Sequence, residues 1–137
     1  MADFSVRRAT RFIREKSPRP VVAMLRWFIE LWGTLTSRWR LRPAFIVIGA
    51  QRAGTTTLYR VLSEHPAVAR PTVSKGIRYF ELEYHRGPRW YAGHFPIAAL
   101  ARRKHGPDAV TFESSGYYSF HPLAASRIAR DLPGVRS

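Results

Sequence analysis

The chain has 137 residues, a length that suits one domain, and 45% of them are hydrophobic, with four Trp and eight Phe, enough for a core. It has no cysteine, which excludes a disulfide framework and a thiolate zinc site. Net charge is +14, divided evenly as +7 in residues 1–42 and +7 in residues 43–137. A basic field spread in this way attracts anions: nucleotides, sulfated or carboxylated glycans, nucleic acid or anionic lipid.

The first 19 residues carry Arg7, Arg8, Arg11, Arg14, Lys16 and Arg19 and close on Ser17-Pro18-Arg19-Pro20. They read as a basic arm, disordered or a frayed helix. No apolar stretch with a cleavage site comes after Met1, so no secretory signal is visible. The longest apolar region, Val21 to Trp32, is broken by Arg26 and Glu30 and is too short to span a bilayer. A cytoplasmic location is expected, with membrane association through this region left open. Across residues 20–36, Val21, Leu25, Phe28, Ile29, Trp32 and Leu35 recur at helical spacing, and Met24, Trp27 and Leu31 widen the apolar face. This predicts an amphipathic helix. Its face has three readings: packing on the rest of the domain, contact with a partner protein, or a membrane surface. In the last, Trp27, Trp32 and Trp39 sit at the interface and Arg26, Arg38, Arg40 and Arg42 near head groups.

Phe45-Ile46-Val47-Ile48 is a short, β-branched run that suits a buried strand. Gly49 comes next, then a small-residue turn closed by Gly54, then Thr55, Thr56 and Thr57, after which Leu58, Val61 and Leu62 recur at helical spacing. Strand, glycine loop and helix make a phosphate cradle: glycine lets the backbone approach an anion, and the helix N-terminus adds N–H donors and partial positive charge. Gly49 and Gly54 have the four-residue gap of the Walker A loop, G-x-x-x-x-G-K-S/T. Thr55 stands where that loop needs its Lys, and the cation lies inside the turn as Arg52. Hydrolysis of a magnesium nucleotide is therefore disfavoured, while another phosphate ligand is not. Pro66 ends the helix at His65, because proline disfavours helical geometry in the residue before it.

A short strand is expected near Val68 and a loop beyond it. In residues 84–96 aromatics alternate with cations; Trp90, Tyr91 and Phe95 read either as the core of a short helix or as the lining of an acceptor site. Residues 97–109 read as a helix with Arg102, Arg103, Lys104 and His105 in its last turn and Gly106 after it. Val110-Thr111-Phe112-Glu113 reads as a second buried strand, at whose C-terminal end ligands gather in parallel α/β sheets. A last helix is expected over residues 123–132, stopped by Pro133-Gly134. The five His are scattered, with no metal-ligand spacing, and no metal is expected.

The run Pro43-x-Phe45-x-x-x-Gly49-x-x-Arg52-x-Gly54-Thr55-Thr56-x-Leu58, continuing to Leu62-x-x-His65-Pro66, resembles the 5′-phosphosulfate loop of sulfotransferases that use 3′-phosphoadenylyl sulfate. It is most similar to the heparan-sulfate-type enzymes and their bacterial relatives. The resemblance covers residues 43–137. It implies an α/β fold with a P-loop-like parallel sheet flanked by helices. Residues 1–42 would form a basic arm and amphipathic helix, and 43–137 the N-terminal part of the sulfotransferase domain. It also implies 3′-phosphoadenylyl sulfate as co-substrate, held by Arg52, Ala53, Gly54, Thr55, Thr56 and Thr57. The acceptor would be a hydroxyl or amine of a glycan, lipid or small molecule, and nucleic acid is not expected as a partner. The family has Lys where this chain has Arg52, which keeps the charge in a planar fork.

Later family positions match in part. Lys75 and Phe80 fit the family's Lys-Glu-x-His-x-Phe, but Gly76 and Arg78 replace its Glu and His. That Glu is the family's proton acceptor. Three explanations stand: Glu81, or next Glu83 or His85, substitutes; Lys75 stabilises charge while the base comes from elsewhere; or the chain binds nucleotide or polyanion with weak or no turnover. Gly87, Trp90, Tyr91, Phe95 and Pro96 match a family segment, and so do Glu113, Ser115, Tyr117 and Tyr118. Glu113 is a second candidate for acceptor contact or proton transfer, or a structural acid that orders its loop. The resemblance further implies a strand after residue 134 and an Arg-x-Pro-x-x-Arg segment for the 3′-phosphate. Neither is present in these 137 residues, so the sheet is expected to be incomplete at its C-terminal side.

Overall fold

The computed structural model describes residues 19–72 and 75–136; the basic tract expected in the first 18 residues lies outside them. In chain order the elements are α1 (Arg19–Leu35), a 3-10 turn (Ser37–Trp39), β1 (Pro43–Val47), α2 (Thr55–Glu64), a π-helical turn (Tyr79–Glu83) and a 3-10 turn (Tyr84–Arg86). Then come α3 (Pro88–Ala92), α4 (Ala98–His105), β2 (Thr111–Ser114) and α5 (Ala124–Asp131). The arrangement is mixed α/β.

β1 and β2 pair in parallel, with Phe45 opposite Phe112, Ile46 opposite Glu113 and Val47 opposite Ser114. Phe45 and Phe112 stack across the pair, ring centroids 5.1 Å apart. The sheet continues as isolated parallel bridges on both sides, Phe45 with Arg136 and Val68 with Val110. The strand expected near Val68 is thus one bridge. His65, just before Pro66, is extended (φ −65°, ψ 130°), and α2 ends where proline requires. Gly106 closes α4 with φ +95° and an N–H to the Arg102 carbonyl.

The main core gathers Ile46, Ile77, Phe80, Trp90, Tyr91, Phe95, Tyr118 and Ile128 around the rings of α3 and the π-helical turn. Phe95 is fully buried and Tyr91 and Trp90 nearly so, which makes them core rather than acceptor lining. Aromatic pairs hold this region: Tyr91 stacks on Tyr79 at 4.7 Å and meets Phe80 and Phe95 edge-on at 5.1 Å.

α1 docks on α3 through small and polar residues. Glu30 pairs with Arg86 at 3.0 Å and accepts from the Trp90 indole N–H at 3.3 Å. Gly33 and Gly93 meet backbone to backbone: a Cβ on Gly33 would lie 2.7 Å from the Gly93 carbonyl oxygen, and one on Gly93 would lie 2.6 Å from the Gly33 carbonyl carbon. Past α1, Arg40 donates to the Thr36 hydroxyl at 2.8 Å and the Phe95 carbonyl at 2.6 Å. Burial lowers the pKa of that guanidinium, which is drawn into the domain rather than held out toward head groups. Among the described residues, the apolar face of Val21, Leu25, Phe28, Ile29, Trp32 and Leu35 is not buried against the domain; its members are 38–64% exposed. The reason is geometric: two backbones in contact need glycines between them, so the docked side of α1 is the one without bulk.

Alanine at a helix-interior glycine ordinarily stabilises by roughly 0.5–1 kcal/mol. For Gly33→Ala the opposite is expected. Overpacking against the Gly93 backbone should cost about 1–3 kcal/mol and lower the thermal unfolding midpoint. An unchanged or raised midpoint would count against this contact.

Candidate functional site

β1 delivers the chain into the loop of residues 48–54 at the same end of the sheet where β2 delivers Ser114 and Ser115. The two exits are tied together. The Ser115 N–H donates to the Val47 carbonyl at 3.1 Å and the Ser119 N–H to the Ile48 carbonyl at 2.9 Å. Gly49 has φ +145°, and a Cβ there would lie 2.5 Å from the Ser119 hydroxyl and 3.0 Å from the Gly116 carbonyl. Residues 116–119 are therefore the floor of the loop, and Gly49 is required both by its conformation and by that close approach. A Cβ on Gly116 would in turn meet Gln51 at 3.2 Å.

The loop turns through Arg52 (φ 62°) and Gly54 (φ 78°), both left-handed, and α2 starts at Thr55. Gly54 has no side-chain cap to offer α2. The Ala53 N–H is used within the turn, on Ala50, and the Leu58 N–H on Gly54. The N–H groups of Thr55, Thr56 and Thr57 lie in the first turn, where no intrahelical acceptor exists. Residues 50–54, Thr56 and Thr57 are exposed, and Arg52 makes no ion pair among the described residues. An exposed helix start with unspent donors and a cation beside it is an anion site in its elementary form.

The structure brings Lys75 to this site. Its Nζ donates to the Thr56 hydroxyl at 2.9 Å and lies 5.7 Å from the Tyr59 ring centroid. Its carbonyl accepts from the Ser114 N–H at 3.3 Å, which fixes it to the end of β2. Gly76 lies against β2 as well: a Cβ there would meet the Ser114 carbonyl at 3.1 Å and the Ser115 hydroxyl at 3.3 Å.

The two carboxylate candidates are placed differently. Glu113 is wholly buried and accepts from Tyr91 and Tyr118 hydroxyls at 2.6 Å each, from Ser115 at 2.9 Å and from the Ile77 N–H at 3.2 Å. Burial pushes its carboxyl up from the ordinary 4.5, against the pull of those four donors. Burial and the neighbouring carboxylate push both tyrosines up too, so they stay protonated and remain donors. Glu81 is also buried. One of its oxygens accepts from Arg78 Nε, and the other is buried without a hydrogen-bond partner among the described residues. Neither carboxylate hydrogen-bonds to the loop. Among the described residues no group of three or more His, Asp or Glu could hold a metal ion. Local patterns carried no sign of the floor at Gly116 and Ser119, nor of the bond from Tyr91 to Glu113, 22 residues apart in sequence.

No family model matches the chain. Among curated proteins it is 35% identical over 116 residues to human bifunctional heparan sulfate N-deacetylase/N-sulfotransferase 3, covering 78% of this chain and 12% of that protein. To human bifunctional heparan sulfate N-deacetylase/N-sulfotransferase 2 it is 32% identical over 112 residues, with the same coverage of 78% and 12%. It is 35% identical over 95 residues to the membrane-associated sulfotransferase kil1 of Dictyostelium discoideum, covering 69% of this chain and 19% of that protein. The chain thus spans between an eighth and a fifth of the length of these relatives. Over the aligned part, 69–78% of its length, the chain is similar to proteins named as sulfotransferases.

Removing the buried acceptor should unsettle the site from below. In Glu113→Ala each tyrosine hydroxyl left unsatisfied costs about 1–3 kcal/mol, read from urea unfolding. The pH dependence has a definite sign. With its folded pKa above the unfolded 4.5, Glu113 holds more proton in the native state across that window. Stability from this group therefore falls as pH rises from 4.5 through the folded pKa, then levels. Glu113→Gln should remove that slope.

Proposed function

We propose that this chain is a sulfuryl-transfer domain that holds 3′-phosphoadenylyl sulfate by its 5′-phosphosulfate on residues 52–57. The observation that carries the reading is the exposed first turn of α2, with Arg52 beside it and Lys75 hydrogen-bonded to Thr56. The residues fit such a group. The N–H groups of Thr55 to Thr57 point donors at an anion, and the Thr55 to Thr57 hydroxyls add more. Arg52 and Lys75 supply two cations, against which a negative leaving phosphate is stabilised.

The co-substrate supplies an activated sulfuryl group. Everything else falls to the chain. Arg52 and the α2 N-terminus neutralise the phosphate side of the breaking S–O bond, whose electron pair goes to the leaving phosphate. Lys75 would exchange its bond to Thr56 for a bond to the anion. Positioning and electrostatics then provide most of the rate, as in phosphoryl transfer. The attacking oxygen or nitrogen must lose a proton, and Glu81 is the candidate acceptor, through its unpartnered oxygen. That oxygen is buried, so the role needs the Glu81 side chain to swing outward and leave its pair with Arg78. Glu113, sealed and fully engaged, acts by position, holding Ile77 and Ser115 so that Lys75 and the loop floor stay in place.

The acceptor class is a hydroxyl or amine, on a glycan, lipid or small molecule; relatives named for N-sulfation of heparan sulfate favour a glycan. A second reading is a binding module of this fold with weak or no turnover. It is favoured by Gly76 and Arg78, which stand where the family's Glu and His would be, and by the Arg78–Glu81 pair.

Arg52→Ala should weaken 3′-phosphoadenylyl sulfate binding by about 10- to 100-fold in calorimetry, the loss expected for one charge-assisted contact of about 1.5–3 kcal/mol. Wild-type affinity in that variant would overturn the assignment. Transfer of labelled sulfate to a panel of glycans, phenols and lipids separates the two readings. Glu81→Gln should bind normally and transfer about 100-fold more slowly. Normal transfer would remove Glu81 as the base, and binding without any transfer by wild type would favour the second reading.

A further inference from the structure

We infer that α1 is a membrane-surface anchor whose outer apolar arc beds into the interface of an anionic lipid bilayer. The inference goes beyond the group-transfer reading and does not depend on it. The arc is Met24, Trp27, Phe28, Leu31 and Leu35, residues at spacings of three and four that share one side of the helix. Every one is exposed, from 39% at Leu31 to 64% at Leu35. The opposite side carries Glu30 and Gly33, the residues that fasten α1 to Arg86, Trp90 and Gly93. A helix fastened by that side cannot roll its arc inward. A contiguous apolar surface of this kind marks an interaction site.

Charge and length select the occupant. Glu30 is the only carboxylate in residues 20–42, and it is spent on Arg86 and Trp90. Arg38 and Arg42, just beyond α1, are exposed. On its neighbouring side α1 shares an apolar groove of about 570 Å3 with α4, formed by Leu25, Phe28, Ile29 and Trp32 facing Ile97 and Leu100. One turn beyond Leu100, Arg103 and Lys104 are exposed as well. The rim of the apolar surface is therefore cationic, on a chain of net charge +14, which complements anionic head groups. Among the described residues no helix is long and apolar enough to cross a membrane, so the 17-residue α1 would lie in the surface. Trp27 and Trp32 are the residue type that settles at the head-group level.

The test uses the full chain with vesicles of phosphatidylcholine alone and with about 30% phosphatidylglycerol. Co-sedimentation with the anionic vesicles only, with a blue shift of Trp emission and quenching by brominated acyl chains, is expected. The triple variant Trp27→Ser, Leu31→Ser, Leu35→Ser alters exposed positions, and its fold is checked by circular dichroism. It should bind about ten-fold less or weaker still. Undiminished binding by the triple variant would assign the effect to other basic residues and overturn the inference. So would vesicle indifference together with a concentration-dependent dimer, seen by light scattering and lost in the triple variant. Arg52→Ala should bind vesicles like wild type, so failure here and failure of the sulfuryl-transfer reading are told apart.

Discussion

One buried carboxylate holds the site end of this molecule together. Glu113 stands on β2 opposite Ile46 and accepts hydrogen bonds from four separate places: Ile77 before the π-helical turn, Tyr91 on α3, and Ser115 and Tyr118 after the strand. A carboxylate without water is costly unless its oxygens are fully used, and these are. Through Ile77 it fixes the stretch that presents Lys75. Through Ser115 and Tyr118 it fixes the turn on whose back Gly49 rests. The cation and the floor of the cradle are thus both set by a group that itself stays out of solvent.

The candidate site then sits on the outside of this frame. The donors of the first α2 turn are unspent because Gly54, with no side chain, cannot cap them. The backbone bonds of the loop and the helix start, at Ala53 and Leu58, leave the N–H groups of Thr55 to Thr57 open among the described residues. The Thr56 hydroxyl gives Lys75 a partner at the start of α2, which in the proposed function an anion would replace. Such preorganisation would serve the proposed in-line transfer, which has little covalent chemistry of its own.

What could be read from the sequence was whatever is local. The run Phe45 to Ile48, the glycine gap and the threonine-led helix announce strand, loop and helix within 20 residues, and the elements fall where the pattern put them, to within one or two residues. The helix of residues 20–36 was legible for the same reason, but its docking was not. Periodicity marks the bulky side of a helix, and here the docked side is the bare one, at Gly33. Lys75 was flagged by resemblance, yet its contact with Thr56 spans 19 residues and only the fold supplies it. The link from Tyr91 to Glu113 had no local sign either, because a tyrosine in an aromatic cluster looks the same whether its hydroxyl is used or idle.

The Gly33–Gly93 contact constrains how this chain can change over time. Two main chains touch with no side chain to yield between them, so no rotamer shift can absorb an added methyl at either place. Substitution at one position is blocked unless the helices first move apart, and moving them apart would loosen Glu30 from Arg86 and Trp90. The pair behaves as a single heritable unit. Sequences that keep the tilt of α1 should keep both glycines, and those that lose one should lose the other along with the acid at position 30.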